Sequence, residues 1–182
     1  VTHAVETEWV STGGPYINEF EEKIADYAKC KGAVSCQNGT AGLHTALIVC
    51  DVTKDDEVIV PTLTFIAAVN PVRYVGAEPI FMDCDGSLTM DVDKLRTFCE
   101  NECVFQNNKL MNKTTKKHIK AVLVVHVFGN SADMEALCDV IYRCATRFKV
   151  ISQHNIRARH IARSNCCRIG AWRDSVWQIP TP

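Results

Sequence analysis

A chain of 182 residues with 47% hydrophobic residues can bury a core of its own as one domain, and it carries no disordered low-complexity tract. Twenty lysines and arginines stand against 21 aspartates and glutamates, a balance that gives no electrostatic reason to expect nucleic acid or an anionic membrane as partner. No apolar run approaches the length of a bilayer crossing and no signal-peptide pattern opens the chain, so a cytoplasmic protein is the default expectation. The 10 cysteines are scattered through apolar segments without a Cys-x-x-Cys, which predicts reduced core residues rather than a zinc site or a disulfide framework.

Val1, Val5 and Trp9 among polar neighbours predict the last turns of a helix whose start is missing. Ser11-Thr12-Gly13-Gly14-Pro15 breaks it, and Ile17, Phe20, Ile24 and Tyr27 predict an amphipathic helix closing near Lys31-Gly32. A short apolar run, Ala33, Val34 and Cys36, then meets the small, polar, turn-forming stretch Gln37-Asn38-Gly39-Thr40-Ala41-Gly42. Leu43, Ala46, Leu47 and Cys50 follow at helical spacing. A strand therefore enters a helix through a turn where backbone N–H groups are unpaired and the macrodipole is positive. Such a turn can hold a phosphate on its amides, with Gly39 admitting close approach and the Thr40 hydroxyl adding a donor. An Asn- or Thr-capped helix start without any ligand fits the same residues.

Asp51 to Asp56 is a polar turn, and Val58-Ile59-Val60 is a β-branched run of the kind buried in parallel sheets, stopped by Pro61. It delivers Thr62-Leu63-Thr64-Phe65 to its carboxyl end. Helical spacing resumes from Phe65 through Ala68 and Val69 to Val72, with Pro71 expected to kink or shorten that helix and push Asn70 off helical geometry. Pro79 to Met82 is the next strand, and Asp91 can cap a helix carrying Val92, Leu95 and Phe98. The lysine-bearing stretch from Asn101 to His118 reads as a solvated surface excursion, since no aromatic residues are interleaved to stack on bases. Ile119 to Val127 is the strongest strand and ends at His126. A helix from Ala132 follows with Ser131 available as its cap, and another strand starts at Phe148 to Ile151. This alternation predicts a three-layer α/β domain with a largely parallel sheet, in which ligands sit at the carboxyl ends of strands. Asn38 to Ala41, Thr64-Phe65 and His126 all fall at such ends.

Four ordered stretches carry a resemblance. They are Asn38 to Leu47, Asp55 to Asn70, Val75 to Phe81 and His126 to Met134, and they resemble in order and spacing the DegT-type sugar aminotransferases, pyridoxal-phosphate enzymes of fold type I. The polar insert before Ile119 resembles the branch that aminates keto-sugars on the way to legionaminic acid. The resemblance covers residues 1–150 and implies part of the family's large domain. It implies that Gly39, Thr40 and Ala41 bind the cofactor phosphate and that Phe65 stacks on the pyridine ring. His126 would lie near the ring or the substrate, although Phe65 as core and His126 as a structural residue remain the readings from local sequence alone. It also implies a nucleotide-linked keto-sugar and glutamate as substrates of the complete enzyme, and a homodimer.

The chain departs from that family after residue 150. The acidic Asp-Ala motif that keeps the pyridine nitrogen protonated and the Schiff-base lysine are both missing, because the last lysine is Lys149 and the last acid is Asp174. Residues 151–182 carry Arg157, Arg159, Arg163, Arg168 and Arg173 without helical or strand period. The hypothesis that follows is a tail produced by a frameshift, on an N-terminal piece of an aminotransferase that is inactive alone. A non-catalytic interaction fragment and a dehydratase variant, with histidine in place of the lysine, are the alternatives.

Overall fold

In the computed structural model, which describes residues 1–10, 13–28, 31–144, 149–153, 169–171 and 176–178, helix and strand alternate as the sequence pattern predicts. Helix α1 covers Thr2–Glu6, and α2 covers Pro15–Ala28, opening on a proline whose missing N–H costs nothing in a first turn. Strand β1 (Ala33–Ser35) leads into α3 (Gly39–Val49), and β2 (Asp56–Pro61) is buried along its whole length. A 3-10 turn at Ile66–Ala68 precedes α4 (Asn70–Tyr74). The helix at Pro71 is short, as expected, with 5 residues in α4, but Asn70 is not displaced: the proline occupies the first turn, where no backbone donor is needed, and Asn70 begins the helix.

Strand β3 (Glu78–Met82) is followed by α5 (Val92–Glu102), capped as predicted by Asp91, whose Oδ1 accepts from the Asp93 and Lys94 N–H groups at 3.0 Å. The stretch read as a solvated loop is instead a hairpin of β4 (Cys103–Gln106) and β5 (Lys109–Asn112). Its turn residues Asn107 and Asn108 have φ of 52° and 59°, the left-handed pair that a two-residue hairpin turn requires and asparagine tolerates. Strand β6 (His118–Val125) leads through a 3-10 turn at Val127–Gly129 to α6 (Met134–Cys144). Asp133 rather than Ser131 caps α6, its Oδ1 accepting from the Ala136 N–H at 3.0 Å. Strands β7 (Lys149–Gln153), β8 (Ile169–Ala171) and β9 (Val176–Gln178) complete the elements, so the stretch read as lacking strand pattern supplies two short strands. The arginines singled out there lie outside the described residues.

The sheet runs in the order β1-β9-β8-β7-β6-β2-β3, with the hairpin attached at β6. β2 is parallel to β3 and β6, and β7 is parallel to β6 and β8, whereas β9 is antiparallel to both β8 and β1. Side chains alternate across it. On one face Val58, Val60 and Leu123 meet Leu43 and Leu47 of α3 and Val72 of α4, and on the other Ile59, Val122 and Val124 meet Leu95 of α5 and Leu137 of α6. Three layers result, as predicted. From β2 the chain moves outward to β3, returns past β2 to β6, and then moves the opposite way to β7. The winding therefore reverses between β2 and β6, the place where open α/β sheets leave a crevice at their carboxyl edge.

Candidate functional site

The turn before α3 is open. Asn38 is its N-cap, with extended backbone, and the Asn38 Oδ1 accepts from the Ala41 N–H at 2.8 Å. That bond occupies the Ala41 amide. The N–H groups of Gly39 and Thr40 have no carbonyl ahead of them in the helix, so these two amides and the Thr40 hydroxyl are the donors an anion would meet. Gln37 and Asn38 are exposed and Gly39 and Thr40 half-buried, which leaves room there. Glu21 steadies the strand beneath, its Oε1 accepting from the Ser35 N–H at 2.7 Å and the Ser35 hydroxyl at 2.8 Å.

Phe65 is not core. It is 79% exposed, in the loop that carries β2 into the Ile66–Ala68 turn, and that turn packs on α3, with Ala68 sharing a core with Leu43. The same helix thus supports the cradle and the segment that presents the ring. Beside Phe65, the Thr64 hydroxyl oxygen is buried and has no hydrogen-bond partner among the described residues. A buried hydroxyl ordinarily has a partner, and this one lies three residues past the carboxyl end of a central strand, where a ligand or a water would be within its reach. Sequence reading placed Thr64 at this edge and gave it no role.

His126 directly follows β6, as the N-cap of the Val127–Gly129 turn, and is 2% exposed. Its Nδ1 accepts from the Ala132 N–H at 3.0 Å, so the neutral ring carries its hydrogen on Nε2. The bond joins the start of the 126–132 loop to its end. Farther along, the Asn130 Nδ2 donates to the Ser87 carbonyl at 3.0 Å, and the Thr62 N–H donates to the Met82 carbonyl at 2.8 Å. The loops that follow β2, β3 and β6 are therefore tied to one another above the crevice. No group of three or more His, Cys, Asp or Glu side chains among the described residues could hold a metal ion, and no described helix is long and apolar enough to cross a membrane. Cys50, Cys99, Cys103 and Cys138 are buried in the core, as their scatter through apolar segments predicted.

An amide-lined helix start, an exposed aromatic ring and a buried hydroxyl without a partner are features that fit a cofactor with a phosphate and a flat ring. Together with the winding reversal, they define the class of three-layer α/β proteins that hold a small ligand along the carboxyl edge of the sheet. The chain belongs to the DegT/DnrJ/EryC1/StrS aminotransferase family, whose model matches residues 1–149. Pyridoxal phosphate is the cofactor of that family. The chain is 37% identical to a GDP-perosamine synthase of Escherichia coli O157:H7 over 157 residues, covering 81% of this chain and 39% of that protein. A second GDP-perosamine synthase, from Caulobacter vibrioides, is 38% identical over 144 residues, 79% of this chain and 34% of its own length. The crystal structure of a DegT DnrJ EryC1 StrS aminotransferase from Brucella abortus superposes with a TM-score of 0.78 at 26% identity, covering 100% of this chain and 50% of that one. The chain thus spans about a third to two-fifths of the curated relatives it matches.

Proposed function

We propose that this chain is the phosphate- and ring-binding part of a pyridoxal-phosphate aminotransferase acting on a nucleotide-linked keto-sugar in the synthesis of surface polysaccharides. The observation that carries the reading is the Asn38-capped, open first turn at Gly39 and Thr40 on the same helix that supports the Phe65 segment. Gly39 and Thr40 would hold the cofactor phosphate, and Ala41 would shape the turn while its amide serves the cap. Phe65 would cover one face of the ring and keep water from it, with Thr64 and His126 bordering the other groups of the ligand. When bound, such a cofactor supplies an electron-withdrawing ring that stabilises negative charge on the substrate carbon. Glutamate as amino donor and a cytoplasmic location belong to the same proposal.

Within these 182 residues no lysine follows Lys149, so the chain holds the cofactor without covalent attachment and does not transaminate alone. Borohydride reduction of a stoichiometric mixture with pyridoxal 5′-phosphate, followed by mass spectrometry, tests this. The expected result is only low, scattered labelling of surface lysines. One fully labelled lysine would overturn it.

A homodimer is proposed on a separate observation. Ile48 and Val49 of α3 and Tyr74 of α4 expose apolar surface on two helices that pack against each other. The same surface supports the second reading, a chain that serves only to associate. Light scattering on the wild type and on Ile48→Lys separates them, since a dimer lost in Ile48→Lys with cofactor binding retained favours both roles, and dimerisation without any cofactor binding favours association alone. The division at residue 150, with a frameshifted tail beyond it, is likewise a proposal. Translation of the underlying nucleotides in the other frames sinks it if no Asp-Ala motif and downstream lysine emerge.

A further inference from the structure

Among the described residues, the non-glycine positions with left-handed backbone are polar except for two, Leu88 (φ 65°) and Phe128 (φ 55°). That conformation crowds Cβ against the carbonyl, and bulky apolar residues persist in it only where their surroundings hold them. The surroundings here are one hydrogen-bonded unit. Asn130 bridges the two loops through the Ser87 carbonyl at 3.0 Å, the Asn130 N–H closes on the Val127 carbonyl at 2.9 Å, and the Leu88 N–H closes on the Asp85 carbonyl at 3.0 Å. The two side chains are not buried in return: Phe128 is 79% exposed and Leu88 is 41% exposed. Single exposed apolar residues are ordinary on a protein surface, but two that are strained, exposed and on loops tied together are not.

Their place in the sheet adds a third observation. Ile59 of β2 pairs with Val122 of β6; Phe65 lies six residues past the first and Phe128 six past the second. The two exposed aromatic residues thus leave adjacent parallel strands at the same chain distance from one paired rung, on the two sides of the winding reversal. Charge indicates which end of a ligand would meet Phe128. The loop that presents Leu88 carries Asp83, Asp85 and Asp91, and the stretch from His126 to Ser131 carries no lysine or arginine. Lys94 pairs with Asp83 at 2.5 Å and stands 3.9 Å from Asp91, so Asp85 is the acid of this loop left to oppose a phosphate. With no basic residue from His126 to Ser131 to attract one, a neutral flat ring suits the place better.

We propose that Phe128 and Leu88 form an apolar clamp for the base of a nucleotide, with Phe128 as the stacking face. This rests on reading the substrate as nucleotide-linked. The strained backbone holds the ring out toward the ligand before binding, so the ordering cost is met in folding rather than at association.

Titration calorimetry on the 182-residue chain tests this with GDP, UDP, inorganic pyrophosphate and pyridoxal 5′-phosphate as separate probes. The expected result is that Phe128→Ala weakens GDP and UDP about tenfold and leaves pyrophosphate and pyridoxal phosphate within about twofold, as loss of one base–aromatic stack implies. Phe128→Trp should retain the nucleotide affinity. Phe128→Gly should lose it while raising the melting temperature by about 2–4 °C, because glycine takes the left-handed backbone without strain. Wild-type chain that binds neither nucleotide, or Phe128→Ala that binds them as the wild type does, overturns the clamp. So does a variant whose only change is a lost dimer, which would assign the ring to a protein contact. Where Phe128→Ala is insoluble, Phe128→Leu against Phe128→Trp gives the same reading. Nucleotide binding that depends on Phe128 without any pyridoxal-phosphate binding would leave the clamp standing and sink the cofactor reading instead.

Discussion

The two ends of β2 and β6 are separated by one strand's length and differ in nearly every physical respect. At the amino end every buried polar group named here has a partner. The Asp56 Oδ2 accepts from the Thr53 N–H and the Thr53 hydroxyl, both at 2.9 Å, and its Oδ1 faces the His118 Nδ1 at 3.2 Å. The Glu57 Oε2 accepts from the Asn112 Nδ2 at 3.0 Å, and the Asn112 Oδ1 accepts from the Thr114 N–H at 2.9 Å. These bonds tie the β4–β5 hairpin to the central strand. At the carboxyl end a buried hydroxyl has no partner among the described residues, two phenyl rings face water, and two apolar residues hold left-handed backbone. One end uses its buried polar groups to hold the hairpin and the central strand together, whereas at the other the Thr64 hydroxyl has no partner among the described residues.

The contrast can be broken first at Glu57. Replacing Asn112 with leucine leaves a buried carboxylate unpaired, and urea unfolding should show a loss of about 2–4 kcal/mol. A loss under about 1 kcal/mol would mean that water reaches Glu57 and that the amino end is not sealed. Asn38→Ala removes the cap of α3 and should cost about 1 kcal/mol in the same assay. Because it also frees the Ala41 N–H, it separates the cap's part in stability from the turn's part in binding.

A pH dependence sharpens the comparison with a smaller effect. Burial holds the His118 imidazole below its ordinary value of 6.5, against the opposing pull of Asp56. The unfolded chain therefore takes up this proton near pH 6.5 and the folded chain only at lower pH. Stability contributed by the neutral ring is present above about 6.5, falls as pH drops below it, and is fully lost below the folded value. His118→Gln should flatten that slope between pH 5 and about 6.5 in thermal melts, whereas an unchanged slope would assign it to other groups.

Much of the frame was legible because burial and periodicity agree in it. Val58-Ile59-Val60 and Ile119 to Val125 are apolar runs of strand length, and Asn38 and Asp91 are caps by residue type. The hairpin was hidden because much of its surface faces water, so its lysines masked a strand pattern that Asn107-Asn108 alone could have signalled. Strands β8 and β9 were hidden for another reason: three residues are too few to show alternation. Pro71 misled only about Asn70, because proline breaks a helix interior and suits a first turn, and residue type does not say which of the two positions it takes. In the site, the cradle could be read from small polar residues. The missing partner of Thr64 and the backbone of Phe128 could not, since neither a lost hydrogen bond nor a positive φ is written in residue type when the residue is not glycine.

In the proposed reading, the Gly39 turn holds the phosphate of the cofactor. Phosphorus NMR of pyridoxal 5′-phosphate titrated with the chain tests it most directly, alongside the variant Gly39→Asp, which puts a carboxylate where the anion would sit. The expected result is a saturable shift in the wild type that inorganic phosphate competes away and that Gly39→Asp abolishes. A wild-type chain that gives no shift, or a shift that survives Gly39→Asp unchanged, would contradict it.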